Sequence, residues 1–186
     1  TFEAIDSEHG KDATTVYQWD LPILHADPAT FKRLRKSYAK DETQIFYGRT
    51  RLDGADLATF ERLGDGWSRD ADDFYSGSKR LEVCDINTFE PLSMWRAVDS
   101  QCYYVKSKRL ENVDRESLEI LDGVLAKDRT HVYWLQHIVD GADPATFEVK
   151  EDRMQSLARD ATQCFIGPRL VTCDELTPRG HEYCRC

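Results

Sequence analysis

The sequence predicts a mainly β protein of tandem 29-residue repeats. Each repeat is expected to hold short antiparallel strands and a single helical turn. The repeats stack as an array or, alternatively, close into a propeller-like ring. Three observations predict this. An Asp recurs at Asp12, Asp41, Asp70, Asp99 and Asp128, each step 29 residues long. Five positions after each stands an aromatic residue: Tyr17, Phe46, Tyr75, Tyr104 and Tyr133. A hydroxyl–apolar pair keeps the same step, from Thr1-Phe2 through Thr30-Phe31, Thr59-Phe60, Thr88-Phe89 and Ser117-Leu118 to Thr146-Phe147. A fixed period of this length is the mark of a repeat architecture.

The elements of one unit follow from its residues. The leading Asp suits a tight turn, since its carboxylate can accept backbone N–H groups two residues on. The pair that follows, such as Val16-Tyr17 or Ile45-Phe46, is β-branched or aromatic and favours a strand. An aliphatic residue, Ile23, Leu52, Leu81, Leu110 or Val139, then lies on the returning arm of a hairpin. The segment DPATF at Asp27–Phe31 and Asp143–Phe147 places an Asp N-cap before Pro and predicts one helical turn. After it, Phe60-Glu61-Arg62-Leu63 alternates as a strand with one buried face does. Three strands and one turn per unit result.

The chain is a single repeat domain over 1–186. Units fall at about 11–39, 40–68, 69–97, 98–126 and 127–158, with an altered unit at 159–174, a partial unit at 1–10 and a Cys-rich C-terminal cap at 175–186. A three-residue insertion near Glu151–Arg153 shifts the sixth Asp to Asp160, with Phe165 still five residues on. The sixth unit lacks its Thr-Phe strand, and residues 1–5 are a candidate to complete it and close the ring.

At 40% hydrophobic and 32% charged, the composition is that of a globular chain, and no apolar run approaches the ~20 residues of a membrane span. A net charge of −9 argues against nucleic acid as a partner and favours a basic protein. The even number of cysteines, Cys84, Cys102, Cys164, Cys173, Cys184 and Cys186, points to disulfides and an oxidising compartment. Cys164 and Cys173 sit on the two arms of one hairpin, and Cys84 and Cys102 lie in neighbouring units. Cys164, Cys173, His181, Cys184 and Cys186 are also a candidate zinc set, but the paired C-x-x-C spacing is absent, so no metal is expected. No Walker, GxSxG, HExxH or GxGxxG motif occurs, and no cofactor or catalytic group is expected.

Candidate contacts lie where copies differ. Trp134 stands where other units have Gln18, Tyr47, Ser76 and Val105, a position read as exposed, where a Trp is a binding anchor; the alternative is that Trp134 covers the insertion at Glu151–Arg153. His131 and His137 flank it, and Trp19 and His25 depart from the pattern in the first unit. Trp95, Asp72, Asp73, Glu111 and Glu116 complete the set of candidate partner-binding residues. Trp67 aligns with Tyr38 and is assigned to the core.

The blocks KDATTVY, KDETQIFY, RDADDFY, VDSQCYY and KDRTHVYW, with GADPATFE-like text after them, resemble the DKNYY repeat family over about residues 1–175. The chain departs from that pattern at Val98, Leu118 and the sixth unit. The resemblance implies an exported bacterial protein without catalytic residues. It also implies an immunity protein to a secreted antibacterial effector, since such families occur beside these toxins. The function expected is therefore non-enzymatic: periplasmic binding and inhibition of a toxin of lipase, phospholipase or nuclease type. The alternative is a structural cell-envelope repeat.

Overall fold

Each repeat buries an aromatic and an aliphatic residue on short strands, and the computed structural model shows what those strands build. It describes residues 1–150 and 157–173. Six sheets form, each of four antiparallel strands in sequence order. In the first, Glu3–Ala4, His9–Lys11, Val16–Gln18 and Leu21–Ile23 follow one another. The second holds Lys32–Arg33, Tyr38–Lys40, Ile45–Tyr47 and Thr50–Arg51, and the third Glu61–Gly64, Trp67–Arg69, Phe74–Ser76 and Lys79–Leu81. Glu90–Ser93, Arg96–Val98, Tyr103–Val105 and Lys108–Arg109 make the fourth. Glu119–Ile120, Leu125–Lys127, Val132–Trp134 and His137–Ile138 make the fifth. Glu148–Lys150, Leu157–Arg159, Cys164–Ile166 and Arg169–Val171 make the sixth.

The mainly β repeat class is as expected; the internal make-up of the unit differs. Four strands replace the expected three. The unforeseen strand is the one before the leading Asp, such as Tyr38-Ala39-Lys40, which pairs Ile45–Tyr47 through Tyr38↔Tyr47 and Lys40↔Ile45. The helical turn expected at each Asp-Pro-type segment is not seen, and no helix occurs among the described residues. At Asp27 the cap chemistry is present: Oδ1 accepts Ala29 N–H at 3.0 Å and Oδ2 accepts the Thr30 hydroxyl at 2.7 Å. One N–H from Phe31 reaches the Asp27 carbonyl at 2.9 Å. The chain then extends at once into Lys32–Arg33 because Phe31 is buried in the core, so nothing propagates a helix.

Ring closure through residues 1–5 is also not seen. Glu3 and Ala4 pair Lys11 and Gly10 inside the first sheet, and the sixth sheet has its own first strand from Glu148.

By contact density the chain divides into two compact units. In the first, residues 1–99 with 106–109, Val16, Ile23 and Ala26 of the first sheet pack on Phe31, Ala39 and Phe46 of the second. Tyr38, Ile45 and Leu52 then face Tyr75 of the third. Phe89 closes on Phe74 with ring centroids 4.3 Å apart, and the Trp67 indole N–H donates to the Ser93 carbonyl at 2.7 Å. Trp67 is fully buried, as its alignment with Tyr38 predicts. In the second unit, residues 100–105 with 110–186, Leu125, Val132, Val139 and Phe147 pack on Ala158 and Phe165. Successive strand residues point to opposite faces. Both Ile45 and Phe46 are buried because neighbouring sheets cover both faces, where residues of this type predict a half-buried strand.

Cys164 and Cys173 form a disulfide, as their hairpin placement predicts. Cys84 and Cys102 are disulfide-bonded too. Cys184, Cys186, His181 and the insertion at 151–153 lie outside the described residues. The Cys164–Cys173 bridge closes a loop across a sequence separation of nine. Cys173→Ser is expected to lower stability by about 2 kcal/mol, read by urea denaturation with and without reductant.

Candidate binding face

The recurring Asp is the joint between successive sheets. Asp128 shows the full set of contacts. Its Oδ1 accepts the N–H groups of Thr130 and His131, both at 2.7 Å, and the Thr130 hydroxyl at 2.8 Å. Its Oδ2 accepts the Asp114 N–H at 2.9 Å and the Tyr133 hydroxyl at 2.6 Å. The same main-chain clamp joins Asp41 to Asp27, Asp70 to Asp56, Asp99 to Asp85 and Asp160 to Asp143. A second link runs beside it. The Thr30 hydroxyl, held by Asp27, accepts the Glu42 N–H at 3.2 Å, and Thr59, Ser117 and Thr146 repeat this with Ala71, Arg129 and Ala161.

These carboxylates are framework. Burial works against the charge of Asp128, yet the Tyr133 hydroxyl and the surrounding N–H donors hold its pKa down at about 2. Asp70 and Asp160 are lowered by equivalent donors against the same burial. Burial and the neighbouring Asp128 carboxylate push the Tyr133 hydroxyl up. A carboxylate that already holds five donors has no lone pair left to take a substrate proton. The sign of the linkage follows. Depressed folded pKa values give stability that is complete above pH ~4 and lost as pH falls through ~2. Denaturation midpoints are expected to be flat from pH 7 to about 4 and to fall steeply between pH 4 and 2.

The sequence-derived contacts divide by environment. Trp134 is half-buried, not exposed. Its indole lies 3.3 Å from where a Cβ on Gly167 would stand. Gln18 and Tyr47 reach over Gly48 and Gly77 in the same way. At these three positions the side chain covers the hairpin turn of the next sheet. His131 is half-buried, with Nδ1 2.8 Å from the Thr130 hydroxyl. His137 is exposed and sits opposite Trp134 in register. Trp95 is exposed, with the Lys106 ammonium 5.2 Å from its ring centroid. Asp73 pairs with Arg80 at 2.7 Å, while Asp72, Glu111 and Glu116 are exposed. These residues are spread over separate sheets. Among the described residues, no group of three or more His, Cys, Asp and Glu gathers as a metal site would require.

The clearest surface feature lies on the first sheet. Of eleven exposed large hydrophobic residues among those described, four fall within residues 2–24: Phe2, Trp19, Leu21 and Leu24. Phe2 and Trp19 are each 67% exposed. They line an open cavity of about 510 Å³ with Ala4, Gly10 and the acidic side chains Asp6, Glu8 and Asp20. Asp6 holds Arg33 at 3.1 Å and the His9 ring at 2.9 Å. Of this face, the sequence singled out Trp19 alone. The signal for the rest was available: Leu21 and Leu24 stand at repeat positions that other units fill with polar residues.

No curated protein and no solved structure matches the chain. Among the described residues no helix is long and apolar enough to cross a membrane. The DKNYY family model matches residues 1–79 and 95–169, more than four-fifths of the sequence. The matched spans carry both partners of four of the five Asp clamps, and the chain belongs to the DKNYY family.

Proposed function

We propose that this protein is a non-enzymatic, protein-binding repeat protein of the bacterial periplasm. Its role is that of an immunity protein that holds and blocks an antibacterial toxin delivered by a type VI secretion system. One observation carries the binding reading: the division of the carboxylates. The buried ones are consumed by the joints between sheets, while the exposed ones belong to a chain whose overall net charge of −9 suits a basic partner. A toxin whose cleft takes anionic substrate, a phospholipid or a nucleic acid, carries such a basic surface. The disulfides support an oxidising compartment, because thiols stay reduced in the cytosol.

The test is a pull-down from the producing strain's lysate and secretome with the full chain as bait. The recovered protein is identified by mass spectrometry and assayed with and without the chain. A single secreted effector in a 1:1 complex is expected, inhibited on binding, with association slowing as salt rises. Recovery of only the chain itself or of envelope scaffold proteins rules out the immunity reading and favours a structural repeat.

A further inference from the structure

The two ends of the sheets in the first compact unit differ in charge. In a sheet of four antiparallel strands in sequence order, the turns after the first and third strands lie at one end. The turn after the second strand lies at the other end, together with the connections between sheets. At that connecting end, residues 24–31, 41–44, 52–60, 70–73 and 82–89 hold ten carboxylates and no Lys or Arg. At the hairpin-turn end of the second, third and fourth sheets the balance reverses. Residues 34–37, 48–49, 65–66, 77–78, 94–95 and 106–107 hold Arg35, Lys36, Arg49 and Lys106 against one carboxylate, Asp65. Lys36 neutralises that carboxylate at 3.0 Å. Lys79 and Lys108 begin the strands that follow two of these turns. All six cations are exposed. The turns of the first sheet carry Asp6, Glu8 and Asp20 instead, so the basic end starts at the second sheet.

The same end carries an apolar tip. In the fourth sheet the turn between Glu90–Ser93 and Arg96–Val98 is Met94-Trp95. In the first, second, third and fifth sheets the first of these positions is Ser7, Lys36, Asp65 and Gly123, and the second is Glu8, Ser37, Gly66 and Val124. Met94 is 53% exposed and Trp95 43%, and Leu92 beside them is exposed too. The tip is held in place. The Trp67 indole N–H donates to the Ser93 carbonyl, and the Lys106 N–H donates to the Trp95 carbonyl at 2.7 Å. A thioether and an indole therefore project from a fixed turn, with the Lys106 ammonium against the indole.

We propose that this end of the first unit docks on an anionic lipid surface. Met94 and Trp95 enter the headgroup region, and Arg35, Arg49, Lys79, Lys106 and Lys108 face the lipid phosphates. An indole suits that boundary because its ring is amphipathic. A Met side chain is flexible and packs among acyl chains without a shaped pocket. A protein partner would have to offer a socket for the projecting tip. Cations spread over three sheets match a continuous plane of negative charge better than a few fixed carboxylates.

The net charge of −9 does not prevent the approach. The two ends are separated by strands of three or four residues, such as Tyr38–Lys40, Glu61–Gly64 and Glu90–Ser93. At ~3.3 Å per residue that is about 10–13 Å, more than the ~8 Å Debye length at physiological ionic strength. The lipid surface meets the cations while the carboxylates at the far end are screened. This inference is independent of the protein-binding reading above, and it leaves the acidic end turned away from the lipid.

The test is co-sedimentation of the full chain with vesicles of phosphatidylglycerol and phosphatidylcholine in equal parts, and with vesicles of phosphatidylcholine alone. Sedimentation with the anionic vesicles only, falling off as salt rises, is expected. The variant Met94→Ser, Trp95→Gly uses residue types found at these positions in other sheets and is expected to bind at least about tenfold more weakly. Arg49→Gln, Lys106→Gln is expected to lose about as much or more, since each cation near the surface is worth about fivefold. Glu42→Gln, Asp72→Asn at the opposite end is expected to bind no more weakly than the parent. All of these side chains are exposed, and urea midpoints close to the parent's check that the variants fold. Vesicles with brominated acyl chains locate the tip. They are expected to quench part of the tryptophan fluorescence of the parent, and Trp95→Phe removes that quenched part while binding persists. No binding to anionic vesicles, equal binding to both kinds of vesicle, or undiminished binding by the Met94→Ser, Trp95→Gly variant each overturn the proposal. Recovery in the pull-down of an acidic protein that this variant no longer holds also overturns it, and assigns the tip to a protein partner.

Discussion

Asp128→Ala is expected to destabilise the protein by about 3–4 kcal/mol, among the largest effects of any single polar substitution in the chain. The carboxylate accepts from Thr130, His131, Asp114 and Tyr133, and it is almost fully buried. Alanine leaves those donors without an acceptor in a place water does not reach, and each unmet buried donor costs ~1–3 kcal/mol. The full sum is not realised because the turn relaxes. Asp12→Ala is the internal control. It makes the same local turn contacts, and among the described residues no main-chain N–H from a preceding connection reaches it. A loss of about 1 kcal/mol is expected there. Urea denaturation of the two variants side by side measures the difference. Equal losses would mean that the main-chain link between sheets contributes nothing.

Trp67→Ala is expected to cost about 4 kcal/mol, and Trp67→Phe about half of that. The indole is fully buried, packs edge-on against Phe89 at 5.8 Å and donates to the Ser93 carbonyl. Alanine loses apolar burial, leaves a cavity and strands that carbonyl. Phenylalanine keeps most of the packing and loses the hydrogen bond. The size of the gap between the two variants, measured by thermal and urea denaturation, reports how much the ring contributes apart from its N–H group.

The sequence carried the repeat, the strand of the aromatic pair and the hairpin disulfide, because each is a local pattern of side-chain type. It carried the turn role of the leading Asp for the same reason. It did not carry the second task of that Asp. The partner N–H lies 14 residues earlier, and nothing in Asp27 or Asp41 alone announces that the two meet. The strand Tyr38–Lys40 was missed because a small residue at its centre, Ala39, has weak strand preference. Its burial between two sheets is what selects it. The Asp-Pro segment was read as helical from cap chemistry that is present, but a cap without a following amphipathic stretch makes only a turn. For Trp134 the tolerance of varied residues suggested exposure and left a covering role as the alternative; it covers the turn at Gly167. On the first sheet, Phe2 keeps the repeat position of the buried Phe31 yet is exposed, and periodicity does not display that.

The donor of each joint belongs to one repeat and the acceptor to the next, so the chain has no preferred place to be cut and rejoined. Recombination between two copies of the gene segment, at any matching point, restores every Asp-to-main-chain link. A gain or loss of whole 29-residue lengths would preserve the chemistry, while a fractional change would sever one joint. The exception shows where slack exists. Asp143 and Asp160 are 17 residues apart and still meet at 3.0 Å, so the clamp tolerates three extra residues between its two partners. Natural length variants are expected to differ in steps of 29, with smaller insertions falling between the two partners of a clamp.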